Sequence, residues 1–106
     1  GSSIGERIKR AYAYGGVKRE QPFVFEYDRQ LVQGVIDLYF IEDGQLVIVD
    51  YKTDRVLRGR AGEDELRRRY SIQLDYYAMA LSQITGLKVK EKVIYSFALG
   101  RSLTVE

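Results

Sequence analysis

Apolar positions recur along this chain with two periods, one helical and one of strands. From Ile4 to Tyr14 apolar and basic residues mix at roughly helical spacing until Gly15-Gly16, which predicts a short helix. Pro22 to Tyr27 predicts a short strand with the chain's single proline at its start, where a missing donor is tolerated. Leu31 to Ile41 and Leu46 to Lys52 are longer β-branched and aromatic runs separated by Glu42-Asp43-Gly44-Gln45, and Asp-Gly between such runs predicts a hairpin. Thr53 to Gly62 reads as a loop. Glu63, Asp64 and Glu65 then place acid in the first turn of a long helix that Gly86 ends. Within it Leu66, Tyr70, Leu74, Tyr77, Leu81 and Ile84 form an apolar stripe at steps of three and four, the face that packs on a sheet. Lys92 to Leu99 predicts a further strand, with Lys88, Lys90 and Lys92 alternating as edge lysines do, and Ser102 to Val105 a last short one. Helix, three strands, long helix, then one or two strands make an α/β sandwich.

Composition narrows this picture. With 106 residues, 45% of them hydrophobic and 30% charged, the chain is one small globular domain, and no apolar run approaches the ~18 residues that span a membrane. Gly1-Ser2-Ser3 is of the kind an expression tag leaves behind, and no signal or transit peptide is evident. The absence of Cys excludes disulfides, thiolate zinc, iron–sulfur clusters and cysteine nucleophiles, and suits a reducing compartment. The absence of His excludes imidazole ligands and a Ser-His-Asp triad. Chemistry here runs on carboxylates, Lys, Tyr and a hard metal bound through oxygen. A net charge of +2 does not by itself identify a nucleic-acid binder.

The hairpin concentrates that chemistry. With Asp43-Gly44 at the centre of the turn, Glu42 faces Gln45, Ile41 faces Leu46 and Asp37 faces Asp50. Opposed residues share a side of the sheet with Cβ atoms ~4.5–5.5 Å apart. Alternation puts Val35, Tyr39 and Ile41 on the side of Asp37, and Leu46, Ile48 and Lys52 on that of Asp50. Two carboxylates thus meet on a largely apolar, helix-facing surface, which raises at least one pKa and costs stability unless compensated. Lys52 projects from the same face about 6–7 Å beyond Asp50 and offsets part of the charge. Oxygen ligands so arranged suit Mg²⁺, or Mn²⁺, better than zinc.

Gly34-Val35-Ile36-Asp37, twelve residues, then Asp50-Tyr51-Lys52-Thr53 resembles the PD-(D/E)xK nuclease signature. Taken with Arg19-Glu20-Gln21-Pro22-Phe23, the run from Val49 through Lys52 to Arg55, and Gln73-Leu74-Asp75-Tyr76-Tyr77, the chain from Ile4 to Val105 resembles the C-terminal nuclease domain of AddA subunits of AddAB helicase–nucleases, a RecB-like family. The resemblance implies a restriction-endonuclease-like core: a helix, a three-stranded antiparallel meander, a long helix and further strands. It implies metal-dependent hydrolysis of the DNA phosphodiester, as exonuclease end-processing in double-strand-break repair and recombination. The implied partners are single-stranded DNA at the site, the helicase domains of a parent chain and a second nuclease subunit, in the bacterial cytoplasm and without a membrane. Asp37 and Asp50 become metal ligands, the Tyr51 carbonyl an additional one, and Lys52 the group that activates water or stabilises charge.

Glu20 becomes an active-site acid that orders the site or reaches a second metal, against the reading of a surface acid beside Arg19. Gln73 and Tyr77 match the family's Q-x-x-x-Y motif. They share a helix face at i and i+4, and the amide of Gln73 interrupts the apolar stripe and needs a partner such as Lys52 or the DNA backbone, while Tyr77 alone reads equally as a core aromatic. Arg55, Arg58, Arg60, Arg67, Arg68 and Arg69 put six arginines within fifteen residues, either a track for phosphates or a solvated helix face and loop. The family also draws a metal-ligating histidine from an upstream helix. Its absence implies an excised C-terminal piece with an incomplete metal shell and weak or absent activity. The rival reading is a non-catalytic module that holds DNA or docks a partner subunit.

Overall fold

The computed structural model describes residues 3–106. Helix α1 (Ile4–Ala13) begins at Ser3, whose hydroxyl accepts from the Glu6 N–H at 3.1 Å as an N-cap, while Gly1 and Ser2 lie outside the described residues. Five strands follow: β1 (Val17–Tyr27), β2 (Gln30–Glu42), β3 (Gln45–Lys52), β4 (Val89–Ser96) and β5 (Arg101–Val105), with helix α2 (Arg60–Thr85) between β3 and β4. They form one mixed sheet in chain order, antiparallel except for β3 and β4, which run parallel because α2 carries the chain back across the sheet.

The faces of β3 show why the sheet is covered on both sides. Leu46 and Ile48 point into a core with Leu66, Leu74, Ala80 and Leu81 of α2, whereas Val47 and Val49 point into a second core with Ala11 of α1. The result is three layers, α1, sheet, α2, consistent with the restriction-endonuclease-like α/β fold. At the rim Arg7 of α1 forks onto Glu42 at 2.8 Å and Glu91 at 2.7 Å, and this guanidinium, then Lys90, holds the Glu42 carboxyl down to about 2. Among the described residues no helix is long and apolar enough to cross a membrane.

Several boundaries differ from the sequence reading, each for a physical reason. β1 starts at Val17, five residues before Pro22, because the polar run Lys18 to Gln21 forms an edge strand paired with β2 from Phe40 inward. Pro22 thus lies mid-strand, which an edge permits. β4 is internal, between β3 and β5, so its lysines are not edge guards: Lys90 pairs with Glu42 and Asp43, and Lys92 with Asp75. The strand also ends at Ser96, before Leu99. α2 begins at Arg60, leaving Glu63 but not Asp64 or Glu65 in its first turn. Ile84 falls off the apolar stripe and is 56% exposed.

The start of α2 is packed against the loop behind it. A Cβ on the buried Gly62 would lie 1.7 Å from the Leu57 carbonyl oxygen, so only glycine lets the loop after β3 fold back onto the helix.

Candidate active site

The β2–β3 hairpin turns at Asp43-Gly44 with φ of 55° and 73°, and its pairs Glu42↔Gln45, Ile41↔Leu46 and Leu38↔Val49 follow the register that the Asp-Gly turn predicts. The next positions are Asp37 and Asp50. There the strands stop exchanging backbone bonds and the Tyr51 N–H donates instead to Asp37 Oδ2 at 2.8 Å. Asp37 is half-buried and Asp50 is 2% exposed. Burial pushes the Asp50 carboxyl up to about 6; Lys52 pulls it down and the neighbouring Asp37 pushes it further up.

One part of the alternation is corrected here. Val35 does not share the helix-facing side; it is 51% exposed, and Gly34 faces α2 instead, its Cβ position 3.1 Å from the Phe23 ring. Both β1 and β2 change faces near Asp37. Phe23, Phe25 and Ile36 lie in the α2 core with Tyr39, yet Val17 and Leu38 lie in the α1 core, so alternation breaks between Ile36 and Tyr39 and between Val17 and Phe23. Glu20 sits at that break with a φ of 50°, between the pairs Arg19↔Leu38 and Gln21↔Ile36.

Lys52 is 17% exposed and has three partners: Asp50 Oδ2 at 3.0 Å, Gln73 Oε1 accepting from Nζ at 3.1 Å, and the Tyr70 ring with its centroid 4.1 Å from Nζ. The amide that interrupts the apolar stripe of α2 therefore finds its partner in the lysine of the D-x-K motif. One turn on, Tyr77 is buried with its ring edge-on to Phe23 at 5.4 Å; burial, and then the Asp50 and Asp37 charges, push its phenol up to about 12. Tyr77 is thus a core aromatic that also borders the carboxylates.

The remaining candidates are less concentrated. Glu20 is exposed beside Asp37 along the sheet and makes no hydrogen bond or ion pair among the described residues. Helix geometry divides the arginines. Arg55, Arg68 and Arg69 line a cleft of about 560 Å³ with Val56, Leu57 and Gly62. Arg58 and Arg60 stay outside it, exposed, with Arg60 3.8 Å from Asp64. Arg67 turns to the other end of the sheet, donating to the Thr104 carbonyl at 3.0 Å and to Asp64 at 3.2 Å. Arg68 pairs with Glu65, and Arg69 with Glu65 and Asp54.

A divalent cation is tested by one orphaned atom. Asp50 Oδ2 is buried beside the Lys52 ammonium yet accepts no hydrogen bond, the condition of an oxygen reserved for a further positive partner. Among the described residues no three His, Cys, Asp or Glu side chains cluster as a cage. Two carboxylates still fit Mg²⁺, which keeps several waters and takes one or two protein carboxylates.

A paired acid, a second buried acid and a lysine two residues on, across a hairpin under a long helix, define a nuclease site of the D…D-x-K kind. The family model of the PD-(D/E)XK nuclease superfamily matches residues 4–103, and the chain belongs to that superfamily. Within it, the chain is similar to proteins whose name makes them the A subunit of an ATP-dependent helicase/nuclease. That of Lachnoclostridium phytofermentans is 52% identical over 79 residues, 74% of this chain and 6% of the relative. The Acetivibrio thermocellus protein is 42% identical over 111 residues, 90% of this chain and 9% of the relative, and that of Thermoanaerobacter sp. 41% identical over 117, covering 96% and 9%. The chain therefore spans less than a tenth of the curated relatives it matches.

The Tyr70 contact is the feature that the sequence reading missed. Tyr70 stands in the apolar stripe and reads there as core, although its spacing of three from Gln73 puts both on one helix face.

Proposed function

We propose that this chain hydrolyses the DNA phosphodiester backbone with a bound Mg²⁺ or Mn²⁺, as the exonuclease domain of an ATP-dependent helicase–nuclease that processes ends in double-strand-break repair and recombination in the bacterial cytoplasm. The observation that carries the reading is the buried, unmatched Asp50 Oδ2 beside Asp37 and Lys52. Asp37, Asp50 and the Tyr51 carbonyl would hold the ion, which when bound lowers the pKa of a coordinated water and stabilises charge on the phosphate. Lys52, fixed by Gln73, puts a positive charge at the edge of the carboxylates, where charge grows on a phosphate oxygen. Glu20 is exposed beside Asp37 and free to order waters or a second ion. Tyr77 closes the apolar side of the site.

Arg55, Arg58, Arg60 and Arg68 are the phosphate contacts of a single-stranded substrate; Arg67 is already engaged by Thr104 and Asp64. The relatives' name supports partnership with helicase domains and with a companion nuclease subunit.

The lack of a third acid in the cluster favours one other reading, a non-catalytic module that holds DNA or docks a partner subunit. Degradation of single-stranded DNA in Mg²⁺ or Mn²⁺, followed in single-turnover conditions with protein in excess, separates them. Slow metal-dependent cleavage lost in Asp50→Ala and Lys52→Met is expected. Metal-independent binding without cleavage, unaffected by Asp37→Ala, would establish the module.

A further inference from the structure

We propose that Tyr70 is a positioning residue for Lys52, carrying the ammonium on the face of its ring while its hydroxyl is anchored by Asp54. The inference rests on Lys52 being the working lysine of the proposed nuclease site.

Nζ of Lys52 lies 4.1 Å from the Tyr70 centroid, well within the roughly 6 Å over which a ring quadrupole attracts a cation. The site sits at the base of α2, largely withdrawn from water, where such a contact strengthens. The three partners of Lys52 are not equivalent. Asp50 is a charged partner whose Oδ2 is also the unmatched oxygen on which a metal would draw. Gln73 and Tyr70 are neutral, and neither competes for the cation. They can keep the ammonium in place while Asp50 turns its oxygen elsewhere, so the lysine's long stem, with its many rotamers, does not have to find its position anew.

The ring is itself held. The Tyr70 hydroxyl donates to Asp54 Oδ2 at 2.7 Å, and Arg69 donates to the same oxygen at 2.9 Å while pairing with Glu65 at 3.0 Å. This bond to Asp54 raises the Tyr70 pKa, so the hydroxyl keeps its proton as a donor. Asp54 lies two residues beyond Lys52, where the chain leaves β3. The strand's exit and the helix face are therefore clamped together, with the lysine between them. A tyrosine that served only to fill the core would need neither the hydroxyl partner nor the ammonium above its ring.

The test reads the lysine directly, in the metal-free chain. Protons on the Lys52 ε-carbon lie over the ring and resonate upfield of those of the other lysines, with Lys52→Met giving the assignment. In Tyr70→Phe the upfield shift is retained. In Tyr70→Leu it collapses to the position of the other lysines; should that variant not fold, Tyr70→Met removes the ring with similar volume and makes the same comparison. In single-turnover cleavage of single-stranded DNA, losing the ring lowers the maximal rate about tenfold and leaves the half-saturating concentration unchanged, and Tyr70→Phe stays within about threefold. An upfield shift that survives removal of the ring, or a wild-type Lys52 resonating with the other lysines, overturns the proposal. If the shift follows the ring while no variant or wild type cleaves DNA, the placement of Lys52 by Tyr70 stands and the nuclease reading falls.

Discussion

Asp37 and Tyr51 are joined at the open end of the β2–β3 hairpin by a 2.8 Å hydrogen bond in which the Tyr51 N–H donates to the carboxylate. A side chain thus does what a backbone carbonyl does along the rest of the ladder, and it fixes Asp37 beside Asp50. Two opposed effects follow from removing the acid: relief of carboxylate repulsion, and an N–H left without its partner. Asp37→Asn keeps an acceptor oxygen and loses the charge, so in the metal-free protein it unfolds at or above the wild-type urea midpoint. Asp37→Ala strands the Tyr51 N–H and falls below Asp37→Asn by about 1–2 kcal/mol. Equal midpoints for the two variants would show that the bond contributes nothing.

Asp50 gives the metal-free fold a distinctive pH dependence. Its carboxyl is raised to about 6 from 3.8, chiefly by burial, so between these values the folded state holds more protons than the unfolded one. Stability from this group is therefore complete below pH about 4 and is lost as pH rises through about 6. Asp50→Asn removes that fall and stabilises the metal-free protein at pH 7 by on the order of 1–3 kcal/mol, less than the full linkage because Lys52 loses its ion pair. Urea unfolding at pH 4, 5, 6 and 7 without metal checks it. A wild type and variant with parallel stability profiles across that range would contradict the burial of a charged Asp50.

The hairpin register was legible because Asp-Gly dictates a two-residue turn with both residues at positive φ, and every pair from Glu42↔Gln45 to Leu38↔Val49 follows from it. The face of Val35 was not, because alternation assumes an unbroken pleat and the strands turn over near Glu20 and Asp37. Gln73 could be read as a partner of Lys52, since an amide on an apolar stripe must be satisfied. Tyr70 could not, because a tyrosine on such a stripe is content as core and its cation–π contact leaves no mark on the pattern. The lysines of β4 misled for a related reason: Glu42, Asp43 and Asp75, which neutralise them, come from elements distant in the chain. The arginine run likewise looks continuous in sequence, yet a helix of 3.6 residues per turn sends Arg67 toward β5 and Arg68 toward the opposite cleft.

Gly62 sets the tightness of the return from β3 to α2. A methyl group there meets the Leu57 carbonyl, a backbone atom that cannot swing aside, so Gly62→Ala forces the loop carrying Arg55 and Arg58 away from the helix. The expected cost is about 2 kcal/mol, a fall in Tm on the order of 10 °C for a domain of this size. Calorimetric melting of the variant measures it, and an unchanged Tm would mean that the loop does not pack as described.

The claim on which the rest depends is that Asp37 and Asp50 are a cation site. Isothermal titration of Mn²⁺ into the metal-free chain tests it without requiring catalysis, and so does not depend on how fast these 106 residues cleave DNA. The expected result is saturable binding in the wild type, abolished in Asp50→Asn and weakened at least about tenfold in Asp37→Asn, with both variants folded. Absence of binding by the wild type, or the same affinity in Asp50→Asn, would contradict it.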